Sequence, residues 1–121
     1  MDSRLIRVIE RLASNPAERP RLPELSKQAG LSVRMLELLF IEHTGKSFSA
    51  YYRELRVALA KELLARSCKP VKVIASRLGY RAVEVFCRDF KRECGCTALE
   101  YRRRSRKELL RKKVLQKKSI E

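Results

Sequence analysis

Long apolar runs are missing from this chain of 121 residues; every apolar stretch is short and broken by charge. No segment approaches the roughly 20 residues needed to span a bilayer, and Met1 is not followed by a signal-type apolar run. A soluble, cytoplasmic protein with no membrane partner is expected. Sustained alternation of apolar and polar residues is also missing, which removes the pattern of a half-buried strand. Histidine occurs once, at His43, with no nucleophile motif near it, and no glycine-rich loop is present to cradle a nucleotide phosphate. An enzyme is not expected, and no cofactor is implied. Acidic residues are scarce, 14 against 29 Lys and Arg, for a formal charge of +15 and a pI near 10.3. That imbalance points to a polyanionic partner.

The charge is uneven without being confined to one end. Residues 101–121 hold 10 basic and 2 acidic side chains, and residues 1–100 hold 19 and 12, so the body is basic without its tail. The length suits one compact domain, or two small lobes sharing an element. Cys68, Cys87, Cys94 and Cys96, with no export signal, read as reduced thiols. Cys94 and Cys96 have one intervening residue and no second pair, unlike the paired spacing of zinc sites, so no metal is expected.

Helical periodicity runs throughout and predicts an all-α fold of about seven helices. Leu5, Ile6, Ile9, Leu12 and Ala13 recur at three-and-four spacing until Asn15 and Pro16 stop the helix. Pro23 opens a second helix with Leu25 and Ala29 on one face and Gly30 past its end. Ser32 is placed to cap a third, with Leu36, Leu39 and Phe40 inward. After Gly45, a long helix capped by Ser47 carries Phe48, Tyr51, Tyr52, Leu55, Leu59 and Leu63 along one side and ends before Pro70. Val71, Ile74, Ala75 and Leu78 form a short helix, and Gly79 and Tyr80 a turn. Val85, Phe86 and Phe90 are the expected buried side of the next helix, which Gly95 ends. Thr97 caps a last helix whose extension through Leu109, Leu110, Val114 and Leu115 frays into lysines.

The chain repeats itself. Phe40, Gly45, Ser47 and Tyr51 recur as Phe90, Gly95, Thr97 and Tyr101 at an offset of 50, whereas Gly30 and Gly79 differ by 49. The second turn therefore carries one extra residue. The expected organisation is an N-terminal helix and connection at 1–21, a first lobe at 22–47, a linker helix at 48–69, a second lobe at 70–104 and a basic tail at 105–121. Each lobe has the helix-turn-helix plan, in which a glycine turn lets the second helix cross the first and turn its outer face to a major groove. Two rigidly linked copies suit a ligand that itself repeats, such as successive major grooves on one face of a duplex.

The stretch "VKVIASRLGYRAVEVFCRDFKRECGCTALEYRR" resembles the signature of the DNA-binding domain of AraC/XylS-type bacterial transcription regulators, through Ile74, Ala75, Gly79, Tyr80, Phe86, Phe90, Gly95, Tyr101 and Arg102. Leu25, Gly30, Ser32, Leu36, Phe40 and Gly45 match in the first copy, and Arg56, Ala60, Leu63 and Leu64 in the linker. The resemblance covers roughly 22–103; Ala98 stands where the family usually has Pro, and Ser26 where it has Ala. It implies a double-stranded DNA partner, RNA polymerase as a further partner, activation as the usual mode, and for Arg56 a structural role bonding carbonyls or an acid between the lobes. No segment is of a size to form the effector domain many relatives carry. A stand-alone member acting as a monomer on an asymmetric site is expected, or else a piece of a longer protein.

Geometry and resemblance together select the readers. Opposite Leu36 and Phe40 lie Arg34, Glu37 and Leu38; opposite Phe86 and Phe90 lie Val83, Glu84, Cys87 and Arg88. Arg88 is the foremost, because a guanidinium bonds guanine O6 and N7 together. Glu84 would accept from cytosine N4, and Val83 or Leu38 would meet a thymine methyl. Against this, Glu84 and Arg88 at four-residue spacing would form an exposed ion pair that reads nothing. Glu37 and Leu38 stand where the family more often has polar or cationic readers, so the first lobe either positions the protein or faces another protein. Phosphate contacts are expected at the helix starts near Ser32, Ser47 and Thr97 and from Lys46, Arg53, Lys72, Arg81 and Arg103. Two alternatives remain open: a basic protein coating nucleic acid without reading sequence, and a protein-interaction adaptor on the same fold.

Overall fold

The computed structural model describes residues 2–120. Seven α-helices follow one another, and no strand occurs among the described residues: α1 (Ser3–Ser14), α2 (Leu22–Ala29), α3 (Val33–Thr44), α4 (Phe48–Arg66), α5 (Val71–Arg77), α6 (Val83–Cys94) and α7 (Ala98–Ile120), with a 3₁₀ turn at Pro16–Glu18. The start signals hold in detail. Ser32, Ser47 and Thr97 each accept from a backbone N–H three residues on, at 3.1, 3.2 and 3.2 Å. Capping of this kind contributes about 1 kcal/mol per helix. An additional cap was not anticipated: Asp2 accepts from the Arg4 N–H at 2.8 Å and from the Arg4 guanidinium at 3.0 Å, and the guanidinium bond first, then the N–H, lower its carboxyl to about 2.

Two hydrophobic cores share the linker helix. The first joins Leu5, Val8 and Leu12 of α1 to Leu25, Leu36, Leu39, Phe40 and Tyr52. The second gathers Val57, Ala60 and Leu64 of α4 with Ile74, Ala75, Leu78, Tyr80, Phe86, Phe90 and Ala98. Full burial of each of Phe40, Phe86 and Phe90 stabilises the fold by roughly 2 to 3 kcal/mol.

Three expected faces are corrected. On α1 the inward stripe is Leu5, Val8 and Leu12, while Ile6 and Ala13 are exposed and Ile9 is only half-buried, because α2 and α3 approach from the Val8 side. On α4 there is no single apolar side: Phe48, Tyr51, Tyr52 and Leu55 meet the first core, whereas Val57, Ala60 and Leu64 meet the second and Leu59 and Leu63 border it. The helix lies between two lobes and turns a different face to each. On α6, Val85 is exposed. At about 100° per residue it falls a quarter-turn from the stripe that Phe86, Asp89 and Phe90 occupy.

The last helix locks the linker's C-terminal end. Arg102 donates from Nε to the Leu64 carbonyl at 3.1 Å and from an Nη to that of Lys69 at 2.5 Å, and Arg106 reaches the Ser67 carbonyl at 3.4 Å. These carbonyls lie at and just past the α4 terminus, where cations are favoured. The N-terminal connection is equally engaged. The Tyr52 hydroxyl donates to the Pro16 carbonyl at 3.0 Å, and Arg11 pairs with Glu18 and Gln28.

Candidate nucleic-acid interface

The second turn is longer by the one residue the repeat offset requires: Leu31 and Ser32 separate Gly30 from α3, whereas Tyr80, Arg81 and Ala82 separate Gly79 from α6. Gly79 has φ +84°, and a Cβ there would lie 2.8 Å from the Pro16 carbonyl oxygen and 2.6 Å from Cγ of Arg19. Only a residue without a side chain lets the N-terminal connection close over this turn. Tyr80 follows, buried, with its hydroxyl donating to Asp89 Oδ2 at 3.1 Å. Burial pushes its phenol up to about 12. Asp89 lies on the buried stripe of α6, 7% exposed, and this bond gives its carboxylate a partner there.

On the outer face of α6, Glu84, Cys87 and Arg88 are exposed, and Val83 is half-buried against the second core. The side chain of Arg88 is 71% exposed, and its nearest ionic contact is Asp89 at 4.0 Å. The alternative Glu84–Arg88 ion pair is not formed among the described residues. On α3, Arg34, Glu37 and Leu38 are exposed, and the surface there is apolar: Leu38 is 51% exposed, and Met35 and Ile41 are likewise open.

The residues expected at phosphates divide into free and engaged. Lys72, Arg81 and Arg103 are exposed with no ionic partner among the described residues. Lys46 pairs with Glu54 of the linker helix α4. Arg53 donates from Nε to Glu93 Oε1 at 3.1 Å, tying α4 to α6. Arg56 bonds neither a carbonyl nor an acid; its guanidinium carbon lies 4.5 Å from the Tyr52 ring centre and 4.2 Å from that of Tyr80, and Nε is buried with no hydrogen-bond acceptor. The role between the lobes is as expected, but ring faces supply the contact.

The thiols do not converge. Cys96 is buried, Cys94 is half-buried with its thiol pushed up by burial, and Cys68 and Cys87 are exposed. No three metal-ligating side chains cluster among the described residues. No helix is long and apolar enough to cross a membrane among those residues.

One arrangement was not foreseen from sequence. Arg19 and Arg21 of the N-terminal connection join Arg56 and Arg81 around a cleft of about 420 Å³. The only signal in the chain is the pair of arginines flanking Pro20, which nothing local relates to residues 56 and 81.

A helix-turn-helix domain profile matches residues 25–104. The chain is 37% identical over 90 residues to the transcriptional regulator RipA of Corynebacterium glutamicum, covering 74% of this chain and 27% of that protein. It is 34% identical over 103 residues to the activator RclR of Escherichia coli, covering 85% and 36%. The chain thus spans about a third or less of these relatives. Among solved structures, an AraC-type regulator from Chromobacterium violaceum superimposes with TM-score 0.80 at 26% identity, covering 84% of this chain and 91% of that one. The DNA-binding domain of AdpA, solved with a target DNA, gives TM-score 0.82 at 25% identity, covering 88% and 96%. The chain belongs to the AraC-type helix-turn-helix family of transcription regulators.

Proposed function

We propose that the chain binds a specific double-stranded DNA site by placing α3 and α6 in successive major grooves, and so regulates transcription. The observation that carries this reading is Arg88, held out on α6 with 71% of its side chain exposed while the opposite stripe of the helix is fixed in the core. A guanidinium presented from a rigid helix is the side chain suited to guanine in a major groove. Glu84, freed from Arg88, is available to cytosine. Lys72, Arg81 and Arg103, with the helix starts at Ser32, Ser47 and Thr97, supply the phosphate contacts. Arg53 and Lys46 serve the fold first, because their charges are already met by Glu93 and Glu54.

Activation through RNA polymerase, as a monomer on an asymmetric site in a bacterial cytoplasm, is the mode this reading entails. The relative RclR is an activator, which supports the activation in this reading. The exposed Met35, Leu38 and Ile41 favour a narrower role for α3: apolar contact with thymine methyls, or with a protein, in place of hydrogen-bonded reading.

Selection of purified protein against random duplexes with excess competitor DNA tests the proposal. Two short boxes about one helical turn apart are expected. One box alone would assign reading to α6 only. Tight, steeply salt-dependent binding without enrichment would replace sequence reading by coating.

A further inference from the structure

We propose that the cleft lined by Arg19, Arg21, Arg56 and Arg81 is a binding site for a phosphate group, distinct from the reading faces of α3 and α6. Its acid, Glu18, is already engaged by Arg11, and none of the four arginines has an ionic partner among the described residues. Four like charges around about 420 Å³ repel one another in the empty protein, and an anion removes that repulsion.

The positions are built, not incidental. Arg19 has φ 53°, the sole positive value at a non-glycine among the described residues, and its side-chain carbons fill the space left by the missing Cβ of Gly79. Local strain of this sort persists only where the surroundings enforce it, and it gathers at ligand sites. Arg56 is held against two rings and carries a buried donor without an acceptor. Guanidinium forks match phosphate oxygens in pairs, which lysines would not. The volume exceeds that of a bare phosphate and leaves room for the group it is esterified to, beside Phe48 and Tyr52. Arg81 lies two residues before α6, and Arg21 is the residue before α2, so an occupant would touch both lobes.

A strand phosphate of DNA and a small phosphorylated molecule share this chemistry. Thermal unfolding followed by circular dichroism, in sodium phosphate against sodium chloride at equal ionic strength, tests the site without DNA. Phosphate at tenfold its dissociation constant is expected to raise the midpoint by about 5 °C. The doubly substituted R19Q/R21Q protein should lose most of that rise, while K112Q/K113Q in the tail should keep it. Both pairs are exposed, so the folds survive, and the tail control absorbs the general stabilisation phosphate gives any protein. An equal rise in all three proteins, or none, overturns the proposal.

Addition of phosphate to a complex with labelled duplex then separates the sources. Displacement from the wild type but not from R19Q/R21Q assigns the site to a DNA strand. Simultaneous binding assigns it to a small phosphorylated ligand. Since the first readout involves no DNA, it stands or falls separately from base reading by α6.

Discussion

Arg56 lies over the ring of Tyr80, its guanidinium carbon 4.2 Å from the ring centre, and the hydroxyl of that same ring donates to Asp89 on α6. With the Tyr52 ring centre 4.5 Å from the same guanidinium carbon, a side chain of the linker helix is held by one ring from each core. The contact joins linker, turn and recognition helix, so the relative placement of the two reading faces depends on it.

Arg56→Ala should therefore lower stability by about 1 to 2 kcal/mol, through lost ring contact and lost packing of the side-chain stem. Arg56→Lys should recover little, because an ammonium does not stack against two rings. Urea unfolding of both variants measures this; wild-type stability of Arg56→Lys would remove the stacking account.

Gly79→Ala should cost more than Gly30→Ala. Both glycines have positive φ, which costs an alanine roughly 1 kcal/mol, but only at Gly79 would the new Cβ meet the Pro16 carbonyl oxygen at 2.8 Å. Melting temperatures should rank wild type, Gly30→Ala, Gly79→Ala, with the N-terminal connection of the last more open to protease.

Arg88→Ala should abolish discrimination at one base pair of the selected site, a loss of about 1 to 3 kcal/mol, and barely change affinity for unrelated duplex. Lys72→Ala should weaken binding to all duplexes alike and reduce the salt slope by about one. Fluorescence anisotropy against site variants distinguishes these; a uniform loss from Arg88→Ala would reassign that side chain to phosphate.

Alkaline titration should show delayed tyrosine ionisation, because burial pushes both Tyr52 and Tyr80 up. Tyr80 keeps its proton to about 12 in the folded protein because burial opposes the phenolate, whereas an unfolded tyrosine releases it near 10. The folded-state value is the raised one, so this contribution to stability is complete below about pH 10 and is lost as pH rises toward 12. Absorbance at alkaline pH reads the ionisation, and Tyr80→Phe should remove the last phase.

The repeat, the caps and the outward placement of Glu84, Cys87 and Arg88 were legible because each rests on local rules, whereas Val83, expected outward, is half-buried and Val85, expected inward, is exposed. Ser32, Ser47 and Thr97 cap whichever helix follows them, and the offset of 50, shortened to 49 at the glycine, announces the longer second turn. Arg88 was legible because its distance from the Phe86 and Phe90 stripe follows from helix pitch alone. The faces of α1 and α4 were not, since Ile6 and Val8 satisfy the same periodicity and only the approach of α2 and α3 selects Val8.

The sequence by itself determined seven helices, two glycine-turned lobes and a strong positive charge, because capping, pitch and composition act over a few residues or over none. Tertiary structure alone decided which charges remain free. Arg53 and Lys46 look no different from Arg81 and Lys72 along the chain, and what separates them is Glu93, 40 residues from Arg53, and Glu54, which the fold brings within ion-pair distance of Lys46. It also decided that Arg19, Arg21, Arg56 and Arg81 share one cleft, since their meeting depends on Gly79 admitting the N-terminal connection. Contacts between distant segments follow from packing, and packing is a property of the assembled helices and not of any one of them.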